Sequence, residues 1–427
     1  MDICFFWVYF QSVVVTSRGE VVVLLNKRME ILRQLATEAP TKIVMLVIDG
    51  LGGLPDKDGM TELERAFTPN LDEIASRGET GLLEMVDVGI TPGSGPGHLA
   101  LFGYDPVEFT VGRGILEVLG TGGKVSRGDV CARGNFATWG AQDVILDRRA
   151  GRIETDKSRE LVERLSEAIK EIDGVRITYY PGLEHRFSVV FSGEGLCDCV
   201  SDADPQKDGA SMRWAEPLSE EGSKMADIVN KFIREARNVL DGEPKANGCL
   251  LRGFSGVPDI PHLGELYKIK PLGLASYPMY RGLASLVGMD VLEVENNPIK
   301  LIEELQARWD AYDFFYLHVK HGDSRGEDGD TLGKIKVIEE VDKVMPLLME
   351  LSPDVLVVTG DHSTPSRMKG HSWHPSPLVL LSPYVRPDGI STFGERDCAR
   401  GSLGIIPAWK LMGLLLAHGR RLKKFGA

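Results

Sequence analysis

A chain of 427 residues, 43% hydrophobic and 26% charged, is long enough for more than one core and has the composition of a soluble globular protein. Its formal charge of -13 excludes a general binder of nucleic acid or of anionic membrane, both of which demand a basic surface, while local basic pockets remain open. The six cysteines show neither paired CxxC metal spacing nor the density of a disulfide-stapled chain, which fits a reducing, cytoplasmic compartment; Cys197 and Cys199 would share one face of a strand.

In chain order, residues 1–15 are apolar but too short to span a bilayer, begin on an acidic rather than a basic segment and lack a small-residue cleavage site. A helix starts more naturally at Met29, with Ile31, Leu32 and Leu35 at helical spacing, so translation is expected to begin there and 1–28 to be an untranslated or disordered extension. Residues 42–48 (KIVMLVI) have the continuous apolar character of a strand buried on both faces, and the strand ends at Asp49. A carboxylate just past the end of a parallel strand lies where open α/β sheets place their ligands, although it could equally cap the next turn. A helix follows over 69–77, stopped by Gly78, then a strand over 80–86.

Residues 91–98 (TPGSGPGH) hold three glycines and two prolines, with the hydroxyl of Ser94 in their middle. Such a stretch forces a tight non-helical turn in which a substrate or metal could approach Ser94 closely, with the next helix beginning at His98. From 121 to 256 the pattern changes to strands and two amphipathic helices, 157–172 and 223–239, as in a smaller α+β domain inserted into the first. This insert concentrates Arg133, Asn135, Arg148, Arg149, Arg152 and Arg186. A run of charge is most often a solvated face, but arginine forks suit phosphate and carboxylate, and in an acidic protein they point to a small anionic substrate.

The α/β pattern resumes after 256. Residues 283–294 lead into a helix over 298–309, and a buried strand over 314–319 ends in Lys320 and Asp323, followed by a loop carrying Glu327. A helix over 332–351 precedes the strand 355–358, which ends in Asp361 and His362; His371 follows, then a strand over 378–381 and a closing helix over 404–418. Four strand ends thus carry Asp49, Ser94, Asp323 with Glu327, and Asp361 and His362 with His371. Carboxylates gathered this closely repel one another unless cations are present, and Asp/His/Glu donors without thiolate suit Mn, Zn or Mg. Two such ions could grip both ends of a phosphoryl transfer, and one could activate Ser94 as a nucleophile.

The segments VIDGLGG at 47–53, SGPGH at 94–98, TGDHSTP at 359–365 and HSWHPSP at 371–377, with the Asp323 loop, resemble the alkaline phosphatase superfamily. GRGILEVLG at 112–120, GDVCARGNFAT at 128–138 and DRRAGRI at 147–153 narrow the resemblance to the archaeal-type 2,3-bisphosphoglycerate-independent phosphoglycerate mutases, over about 42–415. The resemblance implies an α/β fold: an alkaline phosphatase-like core over 41–120 and 257–427, its mostly parallel sheet flanked by helices, and an inserted substrate-binding domain over 121–256. It implies that 3- and 2-phosphoglycerate interconvert, in glycolysis and gluconeogenesis, through a phosphoserine at Ser94. One metal would be held by Asp49, Ser94, Asp361 and His362 and the other by Asp323, Glu327 and His371. Lys320 would neutralise the transferring phosphoryl group, while Arg113 and the arginines of the insert, with Asn135 beside them, would hold the substrate, a small phosphorylated three-carbon acid. Where the family has Asp-x-x-Gly-His this chain has Asp323-Ser-Arg-Gly-Glu327, which hardens the site and favours Mn or Mg over Zn. A phosphomonoesterase or phosphotransferase on another small substrate, or an inactive metabolite-binding homologue, are the competing readings.

Overall fold

The computed structural model describes residues 13–15, 21–23 and 27–426, in two compact units, residues 1–110 with 259–427 and residues 111–258. The reading of 1–28 as an untranslated or disordered extension falls mostly outside these residues; within them, Val13–Val15 pairs antiparallel with Val21–Val23, and a helix runs over Lys27–Leu35.

The first unit is built on an eight-stranded sheet in the order 290–293, 271–275, 314–319, 43–48, 355–359, 376–381, 79–84, 404–407. Its centre is parallel: Ile43–Ile48 lies between Phe314–Val319 and Val355–Thr359, and every residue of these three strands is buried. Strands covered on both faces by helices have no polar side to show, hence their unbroken apolar sequences. The strand Ser376–Leu381 then turns antiparallel to both of its neighbours. Helices Pro69–Arg77, Pro298–Ala307 and Thr331–Glu350 supply Leu71, Ile74, Leu301, Leu305, Ile338, Val341 and Met345 to the core on one face of the sheet.

Three elements differ from the sequence pattern. The Gly/Pro stretch is not a non-helical turn: the chain is helical over Ser94–Leu101, so Ser94, not His98, opens the helix, with Gly93 as its N-cap. Pro96 is tolerated because first-turn N–H groups have no partner within a helix. The segment after Lys320 is a helix, His321–Asp328, stopped by Gly329 at φ 75°, rather than a loop. The closing segment is a strand, Gly404–Pro407, before the helix Leu411–His418, because the strand Glu79–Glu84 offers it a parallel partner and leaves it at the edge of the sheet.

In the second unit Val130–Trp139 is the hub of an antiparallel sheet, pairing with Arg186–Ser192, Gly248–Gly256 and Val144–Asp147. The change of pattern seen at 121 lies one helix inside this unit, since Arg113–Gly120 precedes it and Ile115 N donates to Ser255 Oγ on the Gly248–Gly256 strand. Helices Thr155–Ala168 and Ser223–Val239 close the core through Leu161, Leu165, Ile228 and Phe232. Cys197 and Cys199 lie in a bend, not a strand, and are joined as a disulfide, contrary to the expectation of unpaired thiols. No described helix is long and apolar enough to cross a membrane.

Candidate metal centre and arginine pocket

The three central strands of the first unit end side by side, with Val319 opposite Ile48 and Thr359 opposite Val47. Each chain leaves the sheet carrying polar groups, so Asp49, Lys320 with Asp323, and Asp361 with His362 emerge at one end of the sheet. The Ser94 helix comes close because Gly97 has no side chain: a Cβ there would lie 2.1 Å from the Asp361 carbonyl oxygen. Gly50, at φ 66°, similarly clears the Asp323 backbone, which a Cβ would approach to 2.8 Å.

Asp49, Asp361 and His362 form one cluster of potential metal ligands and Asp323, His362 and His371 a second, each with donor atoms within 4.8 Å of one another. His362 Nε2 lies 3.3 Å from Asp49 Oδ1 and 3.2 Å from Asp361 Oδ2, and Ser94 Oγ approaches the same nitrogen to 3.2 Å. His371 Nε2 lies 3.3 Å from Asp323 Oδ1, and the two imidazoles stack at 3.7 Å between ring centres. Glu327, one helical turn beyond Asp323, reaches to 4.0 Å from His371 Nε2 and is largely exposed. Lys320 Nζ lies 3.1 Å from Asp49 Oδ2 and bonds Asp323 Oδ2.

The electrostatics follow from this packing. Burial alone would raise the Asp49 carboxyl, but Lys320, then His318 and His362, hold it well below the usual carboxylate range. Burial likewise opposes ionisation of Asp323, yet its bond to His371 brings it down to about 2; burial disfavours a charged His371, and the same bond lifts that imidazole to about 9. The Lys320 ammonium is held up by Asp49 and Asp323 against burial, whereas burial pushes His362 down.

These donors fit divalent cations. Asp49 Oδ1 and Asp361 Oδ2 are fully buried with no hydrogen-bond partner, an arrangement costly for a carboxylate unless a cation stands between them. His371 Nδ1–H donates to the Pro92 carbonyl at 2.9 Å, so Nε2 is the nitrogen that would bind a cation once the proton it shares with Asp323 is displaced. The site has an inner wall that the sequence did not reveal. Tyr280 donates its hydroxyl to Asp49 Oδ2 and stacks on His318 at 3.8 Å, while His98 Nδ1 donates to the Ser94 carbonyl at 2.8 Å. A lone histidine in the apolar run 314–319 was the visible signal for His318; Tyr280 had none.

The second unit holds a separate pocket of about 310 Å³ lined by Arg133, Asn135, Arg148, Arg149, Arg152, Glu184, His185, Arg186 and Arg252. Arg252 and Arg133 are cross-strand partners, a pairing that only the register exposes. Buried Asp204 takes Arg148 as a fork, with Nε and Nη2 each 2.7 Å from a carboxylate oxygen. Asp147 ties the following turn by accepting from the Arg149 and Gly151 amides, and Ala150 and Arg152 stand at φ 49° and 50°, a strained conformation for residues with side chains. Burial, then Arg186, Arg133, Arg149 and Arg152, drives His185 down to about 4, so the pocket's cations are its arginines. Arg113 lies outside this lining, exposed at the start of its helix and beside Gly253.

A sequence profile of 2,3-bisphosphoglycerate-independent phosphoglycerate mutase matches residues 75–246. A probable 2,3-bisphosphoglycerate-independent phosphoglycerate mutase of Thermotoga maritima is 54% identical over 94% of this chain and 99% of its own; one from Aquifex aeolicus is 52% identical over 93% and 100%. Among solved structures, a protein of Pyrococcus horikoshii matches with a TM-score of 0.78 at 29% identity, over 91% of this chain and all of that one. The cofactor-independent phosphoglycerate mutase of Thermoplasma acidophilum matches with 0.68 at 31% identity, over 88% of this chain and 100% of its own.

Proposed function

The chain belongs to the 2,3-bisphosphoglycerate-independent phosphoglycerate mutase family, and from that premise we propose that it interconverts 3- and 2-phosphoglycerate through a phosphoserine at Ser94. The observation that carries this reading is the position of Ser94: it opens a helix, with its hydroxyl 3.2 Å from His362 Nε2, beside the buried carboxylate oxygens of Asp49 and Asp361 that lack a hydrogen-bond partner.

Asp49, Ser94, Asp361 and His362 would hold one divalent ion and Asp323, His371 and Glu327 the other, with Mn or Mg favoured over Zn. Bound there, the ions supply the positive charge that makes the Ser94 hydroxyl nucleophilic and offsets charge on the transferring group. In the first half-reaction Ser94 Oγ bonds to phosphorus as the bond from phosphorus to the 3-oxygen breaks, and the Ser94 proton ends on that oxygen. In the second, the 2-oxygen of glycerate bonds to phosphorus, the phosphorus–Oγ bond breaks, and the proton of the 2-hydroxyl returns to Ser94. Neither half consumes water or changes an oxidation state. Lys320, kept charged by Asp49 and Asp323, adds a fixed cation beside the reacting group. The arginines of the second unit recognise carboxylate and phosphate, which explains their concentration in an acidic chain.

The test is a phosphorus NMR time course of the Mn-loaded protein given 3-phosphoglycerate and no bisphosphoglycerate. A growing 2-phosphoglycerate signal is expected. Inorganic phosphate as the sole product would replace the mutase with a phosphatase, and an unchanged spectrum would move the activity to another substrate.

A further inference from the structure

Behind both clusters sits one residue that neither the sequence nor the proposed chemistry uses. Thr364 is fully buried, and its Oγ1 lies 3.0 Å from Asp323 Oδ1 and 2.9 Å from His362 Nδ1. A hydroxyl has one proton to give and lone pairs with which to accept. Asp323 is a carboxylate engaged by Lys320 and His371, so its oxygen can only accept, and the Thr364 proton goes there. The contact to His362 must then run the other way, with Nδ1–H donating to Thr364.

Proton counting therefore fixes the His362 tautomer. Its Nε2 is left bare, and that is the nitrogen that faces Asp49, Asp361 and Ser94. The surroundings are built to keep Thr364 in place. Its amide donates to the Gly52 carbonyl at 3.0 Å, and buried Lys334 holds the carbonyls of both Gly52 and Thr364 at 2.9 Å. Two glycines make room: a Cβ on Gly50 would lie 2.6 Å from Thr364 Oγ1, and one on Gly326 would lie 2.3 Å from the Thr364 carbonyl oxygen.

We propose that Thr364 is a positioning residue shared by both metal sites, orienting Asp323 with its proton and fixing His362 as the Nδ1–H tautomer with the proton it accepts. The proposal rests on the metal-centre reading above. It accounts for the glycine before Glu327, which lets the His321–Asp328 helix pass over Thr364, and for a lysine on the apolar face of Thr331–Glu350.

The test compares the full chain with Thr364→Val, which keeps the shape and removes the hydroxyl, and with Thr364→Ser, which restores it. Metal-stripped proteins are titrated calorimetrically with Mn. The Val variant is expected to lose about 10- to 100-fold in affinity at both sites, and the Ser variant to recover most of that loss. Val binding both ions as the parent does, or Ser binding no better than Val, overturns the proposal. Nitrogen NMR of the metal-free parent, which needs no variant, should show His362 protonated at Nδ1 and not at Nε2; the opposite tautomer also overturns it. A parent that binds no Mn while showing the expected tautomer would remove the metal reading and leave Thr364 as the residue that orients the two side chains.

Discussion

The candidate metal centre and the arginine pocket have opposite signs and opposite construction. In the first, Asp49, Asp323 and Asp361 are buried at the ends of close-packed parallel strands with one ammonium, Lys320, between them. In the second, six arginines line a partly open hollow, three of them on the sheet and three in the turn that follows Asp147. Each gathers an excess of one sign. Burial makes the acidic site favour a cation that stays, because three carboxylates gathered away from water are costly at all times. The half-exposed arginines are screened by water, so an anion bound among them can come and go, as a substrate must.

This contrast can be broken from either side. Ser94→Ala should lower turnover by about 10⁴-fold or more while circular dichroism and binding of glycerate-type anions stay as they were; retained mutase activity would remove Ser94 as the nucleophile. On the other side, Asp204→Asn frees the Arg148 fork, which should raise KM about 10- to 50-fold with little change in kcat and none in Mn titration. Weakened Mn binding in that variant would show that the two regions are not separable. Glu327→His should shift preference from Mg toward Zn several-fold, measured by competition between the two ions; no shift would mean that Glu327 stays outside the ligand set.

The smallest effect is on pH. His371 titrates at about 9 in the folded chain against an ordinary value of 6.5, so its pairing with Asp323 stabilises the metal-free protein fully below about 6.5. That contribution is lost as pH rises through about 9. Because an ion must displace the same proton, Mn affinity should climb with pH over this window, with up to about one proton released, seen by calorimetry in buffers of different ionisation heat. Binding independent of pH there would place His371 outside the site.

The strands that position the centre were legible because strands buried on both faces leave unbroken apolar runs, as at 43–48 and 314–319, and because polar residues immediately after them stand out. The helical state of Ser94 was hidden by composition: glycine and proline read locally as turn formers, yet Gly97 is there for contact with Asp361 and Pro96 lies in the first turn, where it costs nothing. Thr364 and Tyr280 were silent because their roles are tertiary, set by what lies across from them. Lys334 was half-audible, a charge in phase with Ile338, Val341 and Met345 on an otherwise apolar stripe. Arg252 needed a strand register, which neither spacing nor composition supplies.

The placement of the acidic residues at the middle of an eight-stranded sheet has a kinetic consequence. Val44, Leu46, Leu317 and Val357 lie on strands paired on both sides and far from either edge, so their amides should be among the last to exchange with deuterated solvent. Fraying of the outer strands 290–293 or 404–407 leaves these hydrogen bonds intact. Asp49, Asp323 and Asp361 are tethered to the part of the unit expected to open last, so an ion bound there would leave on the timescale of ordinary dissociation and not through partial unfolding.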